Sequence, residues 1–312
     1  MADLLTVASR EFSDTVRSRR FILLVGIFAL IMIASMVALI SEQTSDMGAM
    51  PSSFLGGATF GMTATMTYLA PIIGIALGCD AISGEYEKGS LKLVLAQPIY
   101  RDAVINGKFL AATIAITLAT FIPSFATVGG AVLYLGVSPT PIELARLSLY
   151  LIFSVLFAMT FYIIAALLST IAKKTSQSVM LSVGIWAAFV FIVPLIANIV
   201  ARIFVGMPTF MGVRNDTARM DPAVMEQMRS FRNMEANVES ITPNHHFETI
   251  GRYLLGGFSG ERIGGIGQFG EIGSMSVLES LGQCWSNIVI LVLYAVFAFV
   301  ASYIVFTRQE IR

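Results

Sequence analysis

The residues of this chain best placed to do work at a contact are gathered in one stretch, Ile82 to Lys108, which reads ISGEYEKGSLKLVLAQPIYRDAVINGK. Glu85 and Glu87 follow Ser83 and Gly84, an order that suits the positive end of a helix N-terminus. Leu91, Val94 and Leu95 recur at helical spacing, while Lys88 and Lys92 occupy another face. Pro98 stops such a helix, and Asp102 can cap the one that follows. The result is a short amphipathic element of alternating charge, suited to contact rather than to catalysis. It can rest in lipid headgroups, or it can seat in a socket on a cytoplasmic partner.

A second group invites a metal reading. Met207, Met211, Met220, Met225, Met228 and Met234 precede the adjacent pair His245 and His246; thioethers select Cu(I), and imidazole binds copper generally. However, Met220, Val224, Met228, Phe231, Met234, Val238 and Ile241 form one apolar stripe at helical spacing that Pro243 ends, so most of these methionines are expected as packing residues. The stripe predicts a helix lying on the membrane-proximal core. His245, His246 and Glu248 lack the H-E-x-x-H spacing of a metalloprotease, and no G-x-S-x-G turn occurs. Copper at His245 and His246 is kept as a minor alternative, with no metal site otherwise expected.

No G-x-x-x-x-G-K-[ST] loop is present. The Gly107-Lys108 pair runs into Phe109 without the upstream glycine, so ATP phosphates cannot be cradled by that route. No catalytic residues are assigned, and the chain is not expected to be an enzyme.

The elements that must position these residues follow from composition. Of 312 residues, 20 are Lys or Arg and 20 are Asp or Glu, 13% in all, against 56% hydrophobic. Soluble domains carry about 25% charged residues, so a water-covered surface of ordinary size could not be built. The zero formal net charge offers no basic footprint for nucleic acid. A membrane-spanning helix needs about 20 apolar residues. Six uncharged runs meet this requirement: Phe21 to Ile40, Ala58 to Cys79, Phe109 to Leu133, Ser148 to Ala172, Ser178 to Ala201 and Cys284 to Thr307. The polar start, Met1 to Arg20, does not resemble a secretory leader.

Orientation follows from the basic residues. Twelve of them (Arg10, Arg17, Arg19, Arg20, Lys88, Lys92, Arg101, Lys108, Lys173, Lys174, Arg308 and Arg312) fall on one set of short segments, against Arg146 alone on the other. The positive-inside rule therefore expects both termini in the cytoplasm of a plasma-membrane protein, with the long segment 202–283 outside. Cys79 and Cys284 then fall at opposite membrane faces, which disfavours a disulfide between them. The absence of ionisable residues within the six runs disfavours a proton- or ion-coupled carrier.

Within the runs, Pro71, Pro123 and Pro194 predict kinks, and Gly74, Gly78, Gly129 and Gly130 permit close helix approach. Thr59, Thr63 and Thr67 share one face of the second helix. They can line a translocation path or bond across an interface; alternatively, each hydroxyl bonds its own i−4 carbonyl.

The stretch Ile82-Ser83-Gly84-Glu85-Tyr86-Glu87-Lys88-Gly89-Ser90-Leu91, with Leu95, Gln97-Pro98, Arg101 and Gly107-Lys108-Phe109, resembles the signature of type-2 ABC transporter permeases of the NosY-like and sodium or drug exporter group. The resemblance takes in the whole chain. An N-terminal amphipathic segment with Leu5, Ala8, Phe12 and Val16, the six spans, the insertion between the fifth and sixth, and the terminal Phe306 to Arg312 all fit it. It implies an all-α polytopic membrane protein: a connecting helix at 1–20, helices 1–5 within 21–201 with a coupling segment at 82–108, an extracytoplasmic domain at 202–283, helix 6 at 284–307 and a cytoplasmic tail at 308–312.

The implied function is the permease subunit of an ATP-driven exporter. ATP and Mg would be held by a separate cytoplasmic ATP-binding subunit, and a second copy or a related permease would complete the path. Glu85, Glu87, Lys88, Leu91, Lys92 and Leu95 are the expected docking surface. The competing reading is a non-transporting membrane scaffold or metalloprotein-maturation factor whose outer domain binds a partner or copper.

Overall fold

The computed structural model describes residues 2–47, 54–87, 89, 101–135, 138–172, 174–207, 222–255 and 276–308, and among these no strand occurs. In chain order the helices are α1 (Ala2–Val16), α2 (Arg19–Met47), α3 (Phe54–Gly78), α4 (Ser83–Glu87), α5 (Arg101–Leu135) and α6 (Pro141–Ile171). Then come α7 (Thr175–Ala187), a π-turn at Ala188–Ile192, α8 (Val193–Phe204), α9 (Pro222–Glu239), α10 (Pro243–Leu255), α11 (Val277–Gln283) and α12 (Trp285–Arg308).

Six stretches are long and apolar enough to cross a membrane: Arg19–Ala38, Met62–Glu87, Ala103–Leu133, Pro141–Ile171, Thr175–Phe204 and Trp285–Arg308. They match the six expected runs. Several run past the expected ends because flanking polar residues continue the same helices. In α6 the cause is visible: Thr140 accepts from the Glu143 amide while the Glu143 carboxylate accepts from the Thr140 amide, with Pro141 in the first turn. This reciprocal cap starts the helix seven residues before the apolar run expected from Ser148 and so brings Arg146 inside it.

The core is built around α6, which packs against α3, α12, α10, α5 and α7. Gly74 and Gly78 of α3 make the tightest contact. A Cβ at Gly74 would overlap the Ala158 carbonyl oxygen, and one at Gly78 would lie 2.5 Å from the Tyr162 carbonyl oxygen. Small residues four apart thus let two backbones touch, the way apolar helices gain contact without a hydrophobic driving force in lipid. Pro71 and Pro123 lie inside α3 and α5, which continue on both sides of them. Pro194 follows the π-turn.

The helix pair α7–α8 is the least enclosed of the six spans. Its inner part touches α6, α3 and α4, whereas α8 packs beside α9, with Asn198 donating to Glu235 at 2.8 Å. Of the stripe helix expected from Met220 to Ile241, the part Pro222–Glu239 is found as α9 and lies along α8; Ile241 falls in the turn after it and Met220 lies outside the described residues.

Part of the segment expected as an outer domain lies within the bundle. α10 packs against α6, α12 and α3, and its Phe247 is fully buried between Tyr150 and Phe157. The Phe247 and Phe157 rings are parallel with centroids 4.3 Å apart, and Tyr150 stacks on the other side at 5.4 Å.

Candidate functional site: a charged junction at the α4 end

The turn from α3 into α4 is held by a hydroxyl at the end of α6. The backbone amides of Ile82 and Ser83 donate to Ser169 Oγ at 3.1 and 2.9 Å, so two of the amides that a helix start leaves without helical partners are satisfied by a neighbouring helix. Ser169 in turn donates to Ser83 Oγ, which donates to the Cys79 carbonyl, both at 3.0 Å. All of this is buried. Gly89, at φ +69°, takes the left-handed conformation that glycine adopts without strain after the short helix.

From this fixed turn Glu85 and Glu87 leave in different directions. Glu85 Oε1 lies 2.7 Å from Lys108 Nζ, and the same ammonium lies 2.9 Å from Glu11 Oε1 of α1. Lys108 is only 7% exposed, while Glu85 and Glu11 keep 21% and 32% of their side chains in contact with solvent. One lysine therefore bridges α1, α4 and α5 through two short charge-assisted hydrogen bonds. The α1–α5 approach depends on Gly107, where a Cβ would sit 2.8 Å from Val7 Cγ1. Glu87 instead accepts from Thr175 Oγ1 at 2.8 Å, which joins α4 to the start of α7. Arg20 at the start of α2 reaches Asp80 at 3.4 Å. Among the described residues, the ends of α2, α5, α6 and α7 on this side are thus tied to the α3–α4 turn by polar side chains.

Of the six expected docking residues, Glu85 and Glu87 are bonded within the chain, while Lys88, Leu91, Lys92 and Leu95 lie outside the described residues. Among the expected path residues, Thr67 is buried and donates to the Thr63 carbonyl at 3.0 Å, the i−4 pattern. Thr63 faces inward, where a Cβ on Gly251 of α10 would come within 2.8 Å of its methyl group. Thr59 belongs to α3.

At the opposite end His246 is engaged within the chain, its Nδ1 2.7 Å from Asn287 Oδ1 and its Nε2 2.8 Å from the Ser240 carbonyl. The His245 and His246 rings are nearly perpendicular. Among the described residues no group of three or more His, Cys, Asp or Glu is gathered in a way that could hold a metal ion.

Two residues escaped the sequence reading. Lys108 counted as loop charge and as part of the Gly107-Lys108-Phe109 resemblance, with no partner assigned, and Arg146 as the one basic residue of the opposing loops. Arg146 is 1% exposed and donates to the Leu254 carbonyl at 3.1 Å and to Ser280 Oγ at 3.3 Å, capping the end of α10 and holding α11. The signal for Arg146 was the Thr-Pro-Ile-Glu capping sequence three residues upstream, which moves the helix start. Ser276 and Glu279 form the same box at α11. Hydrogen bonds from the Ser276 backbone and hydroxyl hold the Glu279 carboxyl below its ordinary value.

A bundle of six helices long and apolar enough to cross a membrane, with a charged junction of helix ends on one side, defines a multi-pass membrane protein. The chain belongs to the ABC-2 family of transporter proteins, whose sequence profile matches residues 5–311. It is 30% identical over 205 residues to the probable ABC transporter permease protein NosY of Stutzerimonas stutzeri, spanning 63% of this chain and 70% of that protein. It is also 30% identical over 193 residues to the probable NosY permease of Pseudomonas aeruginosa, spanning 60% of this chain and 66% of that protein. It is a membrane permease subunit of an ABC transporter.

Proposed function

We propose that the chain couples ATP hydrolysis on a separate cytosolic ATP-binding subunit to export of a substrate across the plasma membrane. In this reading both termini and the α4 end face the cytosol, and 202–283 begins and ends on the outer side. A second permease, identical or related, completes the path against the little-enclosed α7–α8 pair. The observation that carries the reading is the convergence of four span ends on the α3–α4 turn, next to the stretch 88–100. A push on that stretch reaches α2, α5, α6 and α7 at once. The docking contacts are assigned to Lys88, Leu91, Lys92 and Leu95, with ATP and Mg held by the partner.

The test is purification of the membrane complex and measurement of its ATPase activity. With Lys88→Glu and Lys92→Glu together, stimulation by the permease falls to the level of the free ATP-binding subunit while membrane insertion stays normal. Finding no ATP-binding protein with the native chain, or finding that a cysteine at Gly89 is labelled only from outside, would overturn this function.

A further inference from the structure

We propose that Lys108 is a positioning residue that makes α1 and the α4 turn one mechanical body, so that α1 carries load in the transport cycle instead of merely resting on the membrane. The inference rests on the coupling function proposed above. Its basis is the pairing of one nearly buried ammonium with two carboxylates from elements about seventy residues apart in sequence, Glu11 and Glu85, at 2.9 and 2.7 Å. An amphipathic helix that only rests in headgroups needs its apolar face toward lipid and its charges toward water. α1 does otherwise: Ala8 is buried, Phe12 and Val16 pack on the bundle core, and Glu11 turns inward to Lys108.

The geometry also fixes the direction of coupling. Lys108 is rooted in α5, one turn beyond Ile105 and next to Phe109, whose ring sits edge-on to Tyr162 of α6 with centroids 5.6 Å apart. The ammonium therefore has a rigid base. Displacing α4 requires either breaking a charge-assisted bond that leaves a nearly buried cation short of a partner, or carrying α5 and α1 along. The second costs less, because breaking one partner of a desolvated pair exposes the full desolvation cost of the other.

Spin labels at the exposed positions Ser9 and Tyr86 read this directly in the complete complex. The expected result is one α1–α4 distance distribution, unchanged between the nucleotide-free and ATP-trapped states. A shift between those states in the native chain overturns the proposal. Glu11→Gln cuts only the α1 arm and leaves the Glu85–Lys108 pair in place. It is expected to retain the ATP-binding subunit, to lose at least fivefold in permease-stimulated ATP hydrolysis, and to make the label distance depend on nucleotide.

The full inversion Glu11→Lys, Glu85→Lys and Lys108→Glu seats a carboxylate between two cations, keeps both attractions, and is expected to restore stimulation. Restoration by a charge swap is not expected if the single change acts only by loosening the fold. Full stimulation in Glu11→Gln, or no recovery in the full inversion, overturns the proposal alone. Failure of the native chain to retain any ATP-binding protein overturns the coupling function and this proposal together.

Discussion

The two ends of the bundle are fastened by different chemistry. At the α4 end the turn is fixed by buried backbone bonds to Ser169, and the ties that leave it for other elements are side chain to side chain: Lys108 to Glu11 and Glu85, Arg20 to Asp80, and Thr175 to Glu87. Most of these groups keep some exposure, so water can take over a partner when an element shifts. At the α10 end Arg146 and His246 are buried and bond to the backbone carbonyls of Leu254 and Ser240, while the half-buried Tyr294 donates to the Ile241 carbonyl. Around them lies the stack of Tyr150, Phe247 and Phe157. The Leu254 carbonyl cannot move without α10, and those of Ser240 and Ile241 belong to the short turn that joins α9 to α10. The comparison teaches that the ties at the α4 end can be exchanged for water, which suits the coupling role proposed for it, while those at the α10 end suit a fixed anchor.

The strongest way to break that contrast is to empty the stack. Phe247→Ala removes a fully buried ring from between two others, a change that costs about 3–5 kcal/mol in well-packed cores. The expected result is a large drop in the thermal midpoint of the detergent-solubilised protein, with rapid amide exchange across 243–255, while the Ser9–Tyr86 label distance at the α4 end stays as in the native chain. If the α4 end loosens as much as α10, the two ends are one cooperative unit and the contrast fails.

A smaller effect is expected from Arg146→Met. The substitution keeps the length of the side chain but takes the donor away from the Leu254 carbonyl and the Ser280 hydroxyl, and each buried polar group left without a partner costs roughly 1–3 kcal/mol. Amide exchange should rise at the last turn of α10 and across α11, with the first turn of α10, held through His246, less affected. Uniform exchange along 243–255 would show that Arg146 does not act at the helix end.

How much of this was legible beforehand divides along the same line. The six spans, the all-helical class and the α9 stripe follow from hydropathy and spacing, because apolar periodicity reports directly on what a helix faces. The close α3–α6 approach was signalled by Gly74 and Gly78. The α10 helix within the bundle was not, because its thirteen residues include Asn244, His245, His246, Glu248 and Arg252, a composition that reads as water-exposed. Only tertiary partners such as Asn287 and the Ser240 carbonyl make His246 tolerable there. At the α4 end, the sequence singled out Glu85 and Glu87 through their neighbours, but it could not reveal that one meets Lys108 and the other Thr175. Such pairings join residues 23 and 88 positions apart, and no local rule contains them.

The finest distinction between the ends concerns a carboxylate. Burial pushes the Glu248 carboxyl above its ordinary value, with Glu239 nearby adding to the rise and Arg252 and His245 opposing it. Arg252, one turn on, comes only to 3.7 Å, and the carboxyl stays 40% exposed, so the pair does little to hold the charge. A raised carboxyl means that the folded chain favours the neutral form. Its contribution to stability is therefore present below the ordinary glutamate range and is lost as pH rises through the folded value. The native protein should thus lose a little thermal stability as pH rises from acid toward neutrality, and Glu248→Gln should remove that part of the slope and be slightly the more stable near neutrality. Thermal midpoints of both proteins across that range decide the matter, since parallel curves would place the carboxylate in ordinary solvent and remove this small asymmetry between the two ends.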